Sequence, residues 1–294
     1  MLAGSMVALV TPMSDDGAVN EDELGRLIDF HIEAGTEALV IAGTTGESAT
    51  LTHEEHLDLL ERSCRLTAGR IPVIAGTGSN STRQTLELSA KASRLKIEAL
   101  LIVTPYYNKP TQEGLVRHYT AIADAVERPI ILYNVPGRTA VDLKPATVVR
   151  LAGHPRIVGI KEATGEIGRV EELRDACGPD FTLLSGDDAT ACEFMLAGGD
   201  GVISVTGNVA PAQMRELCDA ARAGKRDEAE AIDAYLRDLH RNLFIESNPI
   251  PVKWALNAMG LIGSGIRLPL TELAPEHRPA VSAALAKAGL GLAA

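Results

Sequence analysis

The sequence is short of cysteine, of positive charge and of long apolar runs, and each shortage narrows what the chain can be. Four cysteines stand among 294 residues. Cys64, Cys177, Cys192 and Cys218 form no CxxC pair and no metal-finger spacing, so scattered, reduced thiols of a cytoplasmic protein are expected. Lys and Arg total 28 against 39 Asp and Glu, a net charge of −11 with no basic stripe. That balance argues against nucleic acid or an anionic membrane as a partner. No apolar run approaches the ~18 residues needed to span a bilayer. The opening MLAGSMVALVTP lacks a basic n-region and a small-residue cleavage site, and reads as a strand rather than a signal peptide. Several motifs are also missing. There is no GxGxxG after the first apolar run, no GK[ST], no HExxH and no GxSxG, so dinucleotide, P-loop, zincin and nucleophile-elbow chemistry all lack their sequence carriers.

What the chain does have is a repeated strand–helix pattern. Apolar runs occur at 5–11, 38–43, 71–76, 99–105, 129–136, 157–163, 181–188 and 201–208. They are continuous rather than alternating, as expected of parallel strands covered on both faces. Amphipathic stretches lie between them, at 22–34, 52–68, 81–95, 111–126, 144–151, 167–177, 189–196 and 210–223. Thr52 followed by Glu55 makes a capping box, with Gly69 as the closing residue. Eight such units predict an α/β fold, a (β/α)8 barrel, over an open doubly wound sheet. After Gly224 the pattern turns wholly helical. The expected division is a catalytic barrel over 1–224 and a small C-terminal helical domain over 225–294, with no low-complexity linker between them.

In such a barrel, function sits at the C-terminal ends of the strands. The second run ends in Gly43-Thr44-Thr45-Gly46-Glu47-Ser48, hydroxyls and backbone N–H groups suited to a carboxylate, or simply a capped turn. The fourth ends in Tyr106-Tyr107, in a chain with only five tyrosines. The fifth ends in Tyr133 and a Pro-Gly turn carrying Arg138, a bidentate carboxylate binder or a solvated loop arginine. The sixth ends in Ile160-Lys161-Glu162. A lysine inside a β-run is partly desolvated, which lowers its pKa and supplies the free amine that Schiff-base chemistry needs, unless it snorkels to solvent. His53 and His56 stand three apart without a third ligand, which argues against a metal. Asp187 or Asp188 is expected to cap the helix that follows them.

Taken together, GTTGES, TPYYNKP, LYNVPGRT, GIKEATG, LLSGDD, GVISVTGN and NPIPVKWAL resemble the dihydrodipicolinate synthase family in order and spacing, from Gly4 to about Gly289. The resemblance implies that Lys161 forms an imine with pyruvate. Tyr133 would move protons, linked through Thr44 to Tyr107, and Tyr107 would cross a tight dimer interface. Thr44 and Thr45, the Ile203 backbone and Gly186 would contact pyruvate, and Arg138 would anchor L-aspartate 4-semialdehyde. No metal or organic cofactor is implied, and the assembly would be a homotetramer, a dimer of dimers. A related aldolase acting on a sugar acid is the competing expectation, as is a non-catalytic binding protein on the same fold.

The resemblance also implies feedback by L-lysine at the dimer interface. The matching positions are Ser48, Ala49, His53, His56, Asn80, Gln84 and Tyr106. Lysine-sensitive members carry Glu where this chain has Gln84, so weakened inhibition is expected.

Overall fold

The computed structural model describes residues 2–292. Its eight strands are β1 (Gly4–Ala8), β2 (Ala38–Ile41), β3 (Val73–Gly76), β4 (Ala99–Val103), β5 (Ile130–Asn134), β6 (Ile157–Glu162), β7 (Thr182–Ser185) and β8 (Gly201–Ser204). All pairings between them are parallel, and β1 pairs with β8, so the sheet closes into a barrel in chain order. Helices stand between successive strands, as the (β/α)8 expectation requires.

Strand geometry explains the composition. Side chains alternate between the two sides of a strand, and here both sides are buried. Met6, Ala8, Ala38, Val40, Ile74, Leu101, Ile131, Tyr133, Leu184 and Ile203 pack together as one cluster. Their strand neighbours Val7, Leu39, Ile41, Val73, Leu100, Ile102, Ile130, Leu132, Ile160, Leu183 and Val202 belong to a second cluster shared with the helices. The first set fills the barrel interior and the second seals the layer outside it. Two such faces require continuous apolar runs, which is why the strands show no alternation in sequence. At Gly159 the close approach leaves no room for a side chain, since a Cβ there would lie 2.5 Å from the Thr182 carbonyl oxygen.

The helices begin and end within a few residues of their sequence expectations. Helix His53–Thr67 carries the capping box, with Thr52 and Glu55 bonded reciprocally. Its closing residue is Ala68, itself left-handed at φ 49°, and Gly69 follows at φ 77°. The apolar runs overshoot the strands at their C-terminal ends, because those residues leave the ladder to build loops. One of these loops, expected as a Pro-Gly turn, is a single helical turn over Pro136–Thr139.

Three helices follow the barrel: Arg226–Asn242, Ile250–Ala258 and Arg278–Lys287. Leu236, Leu239, Val252, Leu256 and Leu285 belong to the same apolar cluster as the outer barrel layer, so one core serves both. A buried ion pair adds to the join. Glu47, left-handed at φ 57° after β2, accepts a hydrogen bond from Lys253, and both side chains are shielded from water. The second Glu47 oxygen accepts the Arg267 backbone N–H at 3.1 Å. Burial lowers the Lys253 pKa, while the Glu47 charge and hydrogen bond oppose the drop. Removing one member of such a pair leaves the other charge uncompensated. Lys253→Met is therefore expected to lower unfolding stability by about 3–5 kcal/mol, measured by urea denaturation. In a double-mutant cycle, adding Glu47→Leu should recover part of that loss. Additive losses would show that the pair contributes nothing to the join.

Candidate active site

Strand parity decides what faces the barrel interior. On β6, Gly159 and Lys161 point inward, while Ile160 and Glu162 point out. On β5, Tyr133 is the last inward residue, in register with Lys161. Both side chains therefore meet at the C-terminal mouth, with the Lys161 ammonium 4.4 Å from the centre of the Tyr133 ring.

Lys161 is 5% exposed. Burial pushes its pKa down to about 8, the Asp188 charge pulls the other way, and Arg138 lowers it further. Burial raises the Tyr133 pKa, against the positive charge of Arg138 and a hydrogen bond with Thr44. The passage of the lysine depends on Gly186. A Cβ at that position would lie 2.9 Å from Lys161 Cε and 2.7 Å from Ala163 Cβ, so only glycine leaves the side chain its path.

These groups surround a cavity of about 150 Å³. Thr44, Thr45, Tyr133, Arg138, Lys161 and Gly186 all line it, so six expected site residues meet there. Ile203 does not line it. It lies buried in the barrel interior, paired with Met6. Tyr107 stands apart, 88% exposed, with its backbone at φ 74°. A bulky residue in that region is strained, and the ring does not line the cavity of its own chain.

Among the further residues that line this cavity are Phe244 and Asn248. Asn248 donates to the Thr45 hydroxyl at 2.9 Å, and its backbone carbonyl accepts from Arg138 at 3.3 Å. Both come from the segment after helix Arg226–Asn242, where Asn248 opens the NPIPVKWAL motif but nothing local shows that the segment returns to the mouth.

Beneath the rim, Glu162 faces outward into a polar cluster. Asn134 donates to Glu162 at 3.1 Å and to Asp142 at 2.8 Å, and Arg169 bonds Asp142 through both terminal nitrogens. The adjacent acidic pair behaves differently from expectation. Asp187 accepts from the Thr190 hydroxyl at 2.7 Å, whereas Asp188 does not cap its own helix. It reaches across to the end of β8 and accepts the N–H groups of Val205 and Thr206. The helix is offset by a 3-10 turn at Asp188–Thr190, which turns the Asp188 side chain away from the helix start.

A second cavity, of about 340 Å³, opens outside the first. Ser48, Ala49, His53, His56, Gln84 and Tyr106 line it. Asn80 does not; its carbonyl accepts from Asn108 at 2.8 Å. His56 is buried with Nε2 2.7 Å from the Gly76 carbonyl oxygen, while His53 is exposed, so the two rings do not converge on one point. Burial lowers the His56 pKa.

The family model described as the dihydrodipicolinate synthetase family matches residues 1–288. The chain belongs to this family. The 4-hydroxy-tetrahydrodipicolinate synthase of Methylococcus capsulatus is 61% identical over 290 residues, covering 99% of this chain and 100% of the relative. The structure of the chloride-inhibited dihydrodipicolinate synthase of Acinetobacter baumannii, complexed with pyruvate, superposes with a TM-score of 0.97 at 54% identity, over 99% of this chain and 100% of that one. The enzyme of Cyanidioschyzon merolae, solved with lysine bound, superposes at 0.95 with 38% identity, over 99% of both chains. Among the described residues, no helix is long and apolar enough to cross a membrane.

Proposed function

We propose that this chain joins pyruvate to L-aspartate 4-semialdehyde through an imine on Lys161, giving 4-hydroxy-tetrahydrodipicolinate for diaminopimelate and lysine synthesis. The observation that carries the reading is a buried lysine with a pKa near 8, over Tyr133, in a small cavity edged by Arg138. An ordinary lysine holds less than about 0.1% free amine at pH 7, whereas a pKa of 8 leaves roughly a tenth free. The amine adds to the keto carbon of pyruvate, water leaves, and loss of a methyl proton gives an enamine. The enamine carbon attacks the aldehyde, and the amino group of the second substrate then displaces Lys161 as the ring closes. Tyr133, hydrogen-bonded with Thr44, is sited to move protons at the carbinolamine oxygen and at the methyl carbon that becomes the enamine carbon. Thr44, Thr45 and Gly186 face the pyruvate end, with Ile203 supporting them from below. Arg138 offers the carboxylate of the semialdehyde a bidentate partner. The electron sink is the iminium itself, so the chemistry is complete without a metal or organic cofactor.

Two further parts belong to this reading. The outward Tyr107 ring serves a partner subunit's site, within a dimer of dimers. The outer cavity takes L-lysine as a feedback inhibitor, weakly because Gln84 is neutral. A cytoplasmic location goes with the reading, and the four free thiols suit that compartment.

Borohydride reduction with pyruvate should leave one pyruvyl adduct per chain on Lys161, located by peptide mass spectrometry and absent from Lys161→Ala. An adduct elsewhere would overturn the assignment. Turnover with aspartate semialdehyde, and none with N-acetylmannosamine, separates this reading from a sugar-acid aldolase. For Tyr107, mixing inactive Tyr107→Phe and Lys161→Ala subunits should restore part of the activity, since a hybrid dimer holds one site with both groups intact. No recovery despite demonstrated subunit exchange would assign Tyr107 to its own subunit. For the outer cavity, Gln84→Glu should tighten L-lysine inhibition by about five- to thirtyfold, the value of about 1–2 kcal/mol from a charged acceptor. Strong inhibition of the wild type, unchanged in the variant, would reject the charge argument.

A further inference from the structure

Three acidic side chains are buried among the described residues: Glu47, Glu162 and Asp188. Glu47 is paired with Lys253, and Glu162 lies 3.5 Å from Arg169. Asp188 has no basic side chain within ion-pair distance. It is 2% exposed, and one of its oxygens accepts the N–H of Val205 at 2.9 Å and of Thr206 at 2.8 Å. The other oxygen, equally buried, has no hydrogen-bond partner. A buried anion with an oxygen that no protein group satisfies is costly. Lys161 is in the converse position, a buried ammonium without an ion-pair partner.

The two lie at the same end of the barrel. Lys161 ends the inward row of β6, and Asp188 follows β7, the next strand, three residues beyond its end. The Asp188 carboxylate crosses to the end of β8, where Val205 lines the cavity that holds Lys161. The acceptor turn is itself held, since the Thr206 hydroxyl lies 2.9 Å from His240 Nδ1 of helix Arg226–Asn242. We infer that Asp188 is a positioning residue for Lys161, the fixed buried anion that stabilises the cationic states through which the lysine passes.

The chemistry gives that anion a task. When the amine adds to the keto carbon, the carbonyl π pair moves to oxygen. Proton uptake then expels that oxygen as water, and the nitrogen lone pair forms the C=N bond. The result is a positive charge on a nitrogen that is largely buried. The other charged or titratable groups around the lysine do not compensate it. Arg138 is a cation and Tyr133 presents its ring; Asp187 also lines the cavity and accepts from the Thr190 hydroxyl, but the carboxylate whose charge acts on Lys161 is Asp188. From β1, β2 and β8 the cavity receives Ala8, Thr44, Thr45 and Val205, none of them ionisable. Glu162 faces the opposite side of the sheet. Consistent with this geometry, the Asp188 charge raises the basicity of Lys161 against burial and against Arg138.

The inference rests on Lys161 being the imine-forming residue, so the test uses the same borohydride trapping, followed from pH 5 to 9. Asp188→Asn keeps an oxygen for both N–H groups but removes the charge. Its acid limb should move down by about one pH unit, the lower end of what an opposite charge does to a neighbouring group, and its plateau rate should fall about tenfold. Asp188→Glu keeps the charge and should overlay the wild-type acid limb even where its stability drops; should Asp188→Asn not fold, Asp188→Ser, which also removes the charge, takes its place in the same comparison. An acid limb unmoved in Asp188→Asn, or moved equally in both variants, would overturn the inference. Absence of a wild-type adduct on Lys161 would instead overturn the functional reading, and this inference with it.

Discussion

Burying the ammonium of Lys161 is the constraint around which the mouth of the barrel is arranged. A shift from the ordinary lysine value to about 8 corresponds to roughly 3 kcal/mol of stability withheld from the folded state. The sign follows from linkage. Between pH 8 and 10.5 the unfolded chain binds the proton that the folded chain has lost, so this penalty is complete below pH 8 and disappears as the pH rises through that window. The rest of the molecule sustains it. Two apolar layers, one inside the sheet and one outside, hold β6 in register on both sides, and Gly186 clears the lysine's path. A looser barrel would let the side chain reach solvent, and its pKa would return toward 10.4.

The same rigidity explains why the helices after the barrel matter to the mouth. Phe244 and Asn248 line the cavity although both come after the last strand. Asn248 ties Thr45 to this segment through its side chain and ties Arg138 to it through its carbonyl. The buried Glu47–Lys253 pair clamps the neighbouring turn onto helix Ile250–Ala258. Thr44 and Thr45 therefore sit between the barrel and the later helices and are fixed by both. Detaching those helices would free the β2 loop and Arg138 together, without touching Lys161.

How far this was legible in sequence depends on whether a feature is local. Strand identity was legible because eight continuous apolar runs are a local property. Lys161 and Tyr133 were legible because a lysine and a tyrosine ending such runs are out of place unless a site uses them. Their common facing was not, since it depends on parity and on the pairing of β5 with β6. Asp188 shows the limit most clearly. Its position before a helix suggested a cap, the local answer, yet its carboxylate bonds the end of β8, a partner 17 residues away. Asn248 fails for the same reason at 203 residues from Thr45. The set of polar residues for the outer cavity was legible only through the family resemblance, because Ser48, His56, Gln84 and Tyr106 come from four separate loops and helices.

The two cavities share a wall, and that wall bears on how the site can be controlled. Thr44, Ser48, Gly78, Val103, Val135 and Arg138 line both. Thr44 is also the hydrogen-bond partner of Tyr133, so a residue facing the outer space acts directly on the acidity of the phenol at the inner one. A wall one side chain thick cannot absorb a displacement by repacking, since close-packed interiors transmit strain rather than damp it. An occupant of the outer cavity that moves Thr44 therefore alters the surroundings of the Tyr133 phenol, and one that moves Arg138 alters the rim of the inner cavity. Lys161 lies behind that wall, held by β6 and Gly186, and is left in place. On the proposed chemistry, an outer ligand should then change what the bound imine can do more than whether the imine forms.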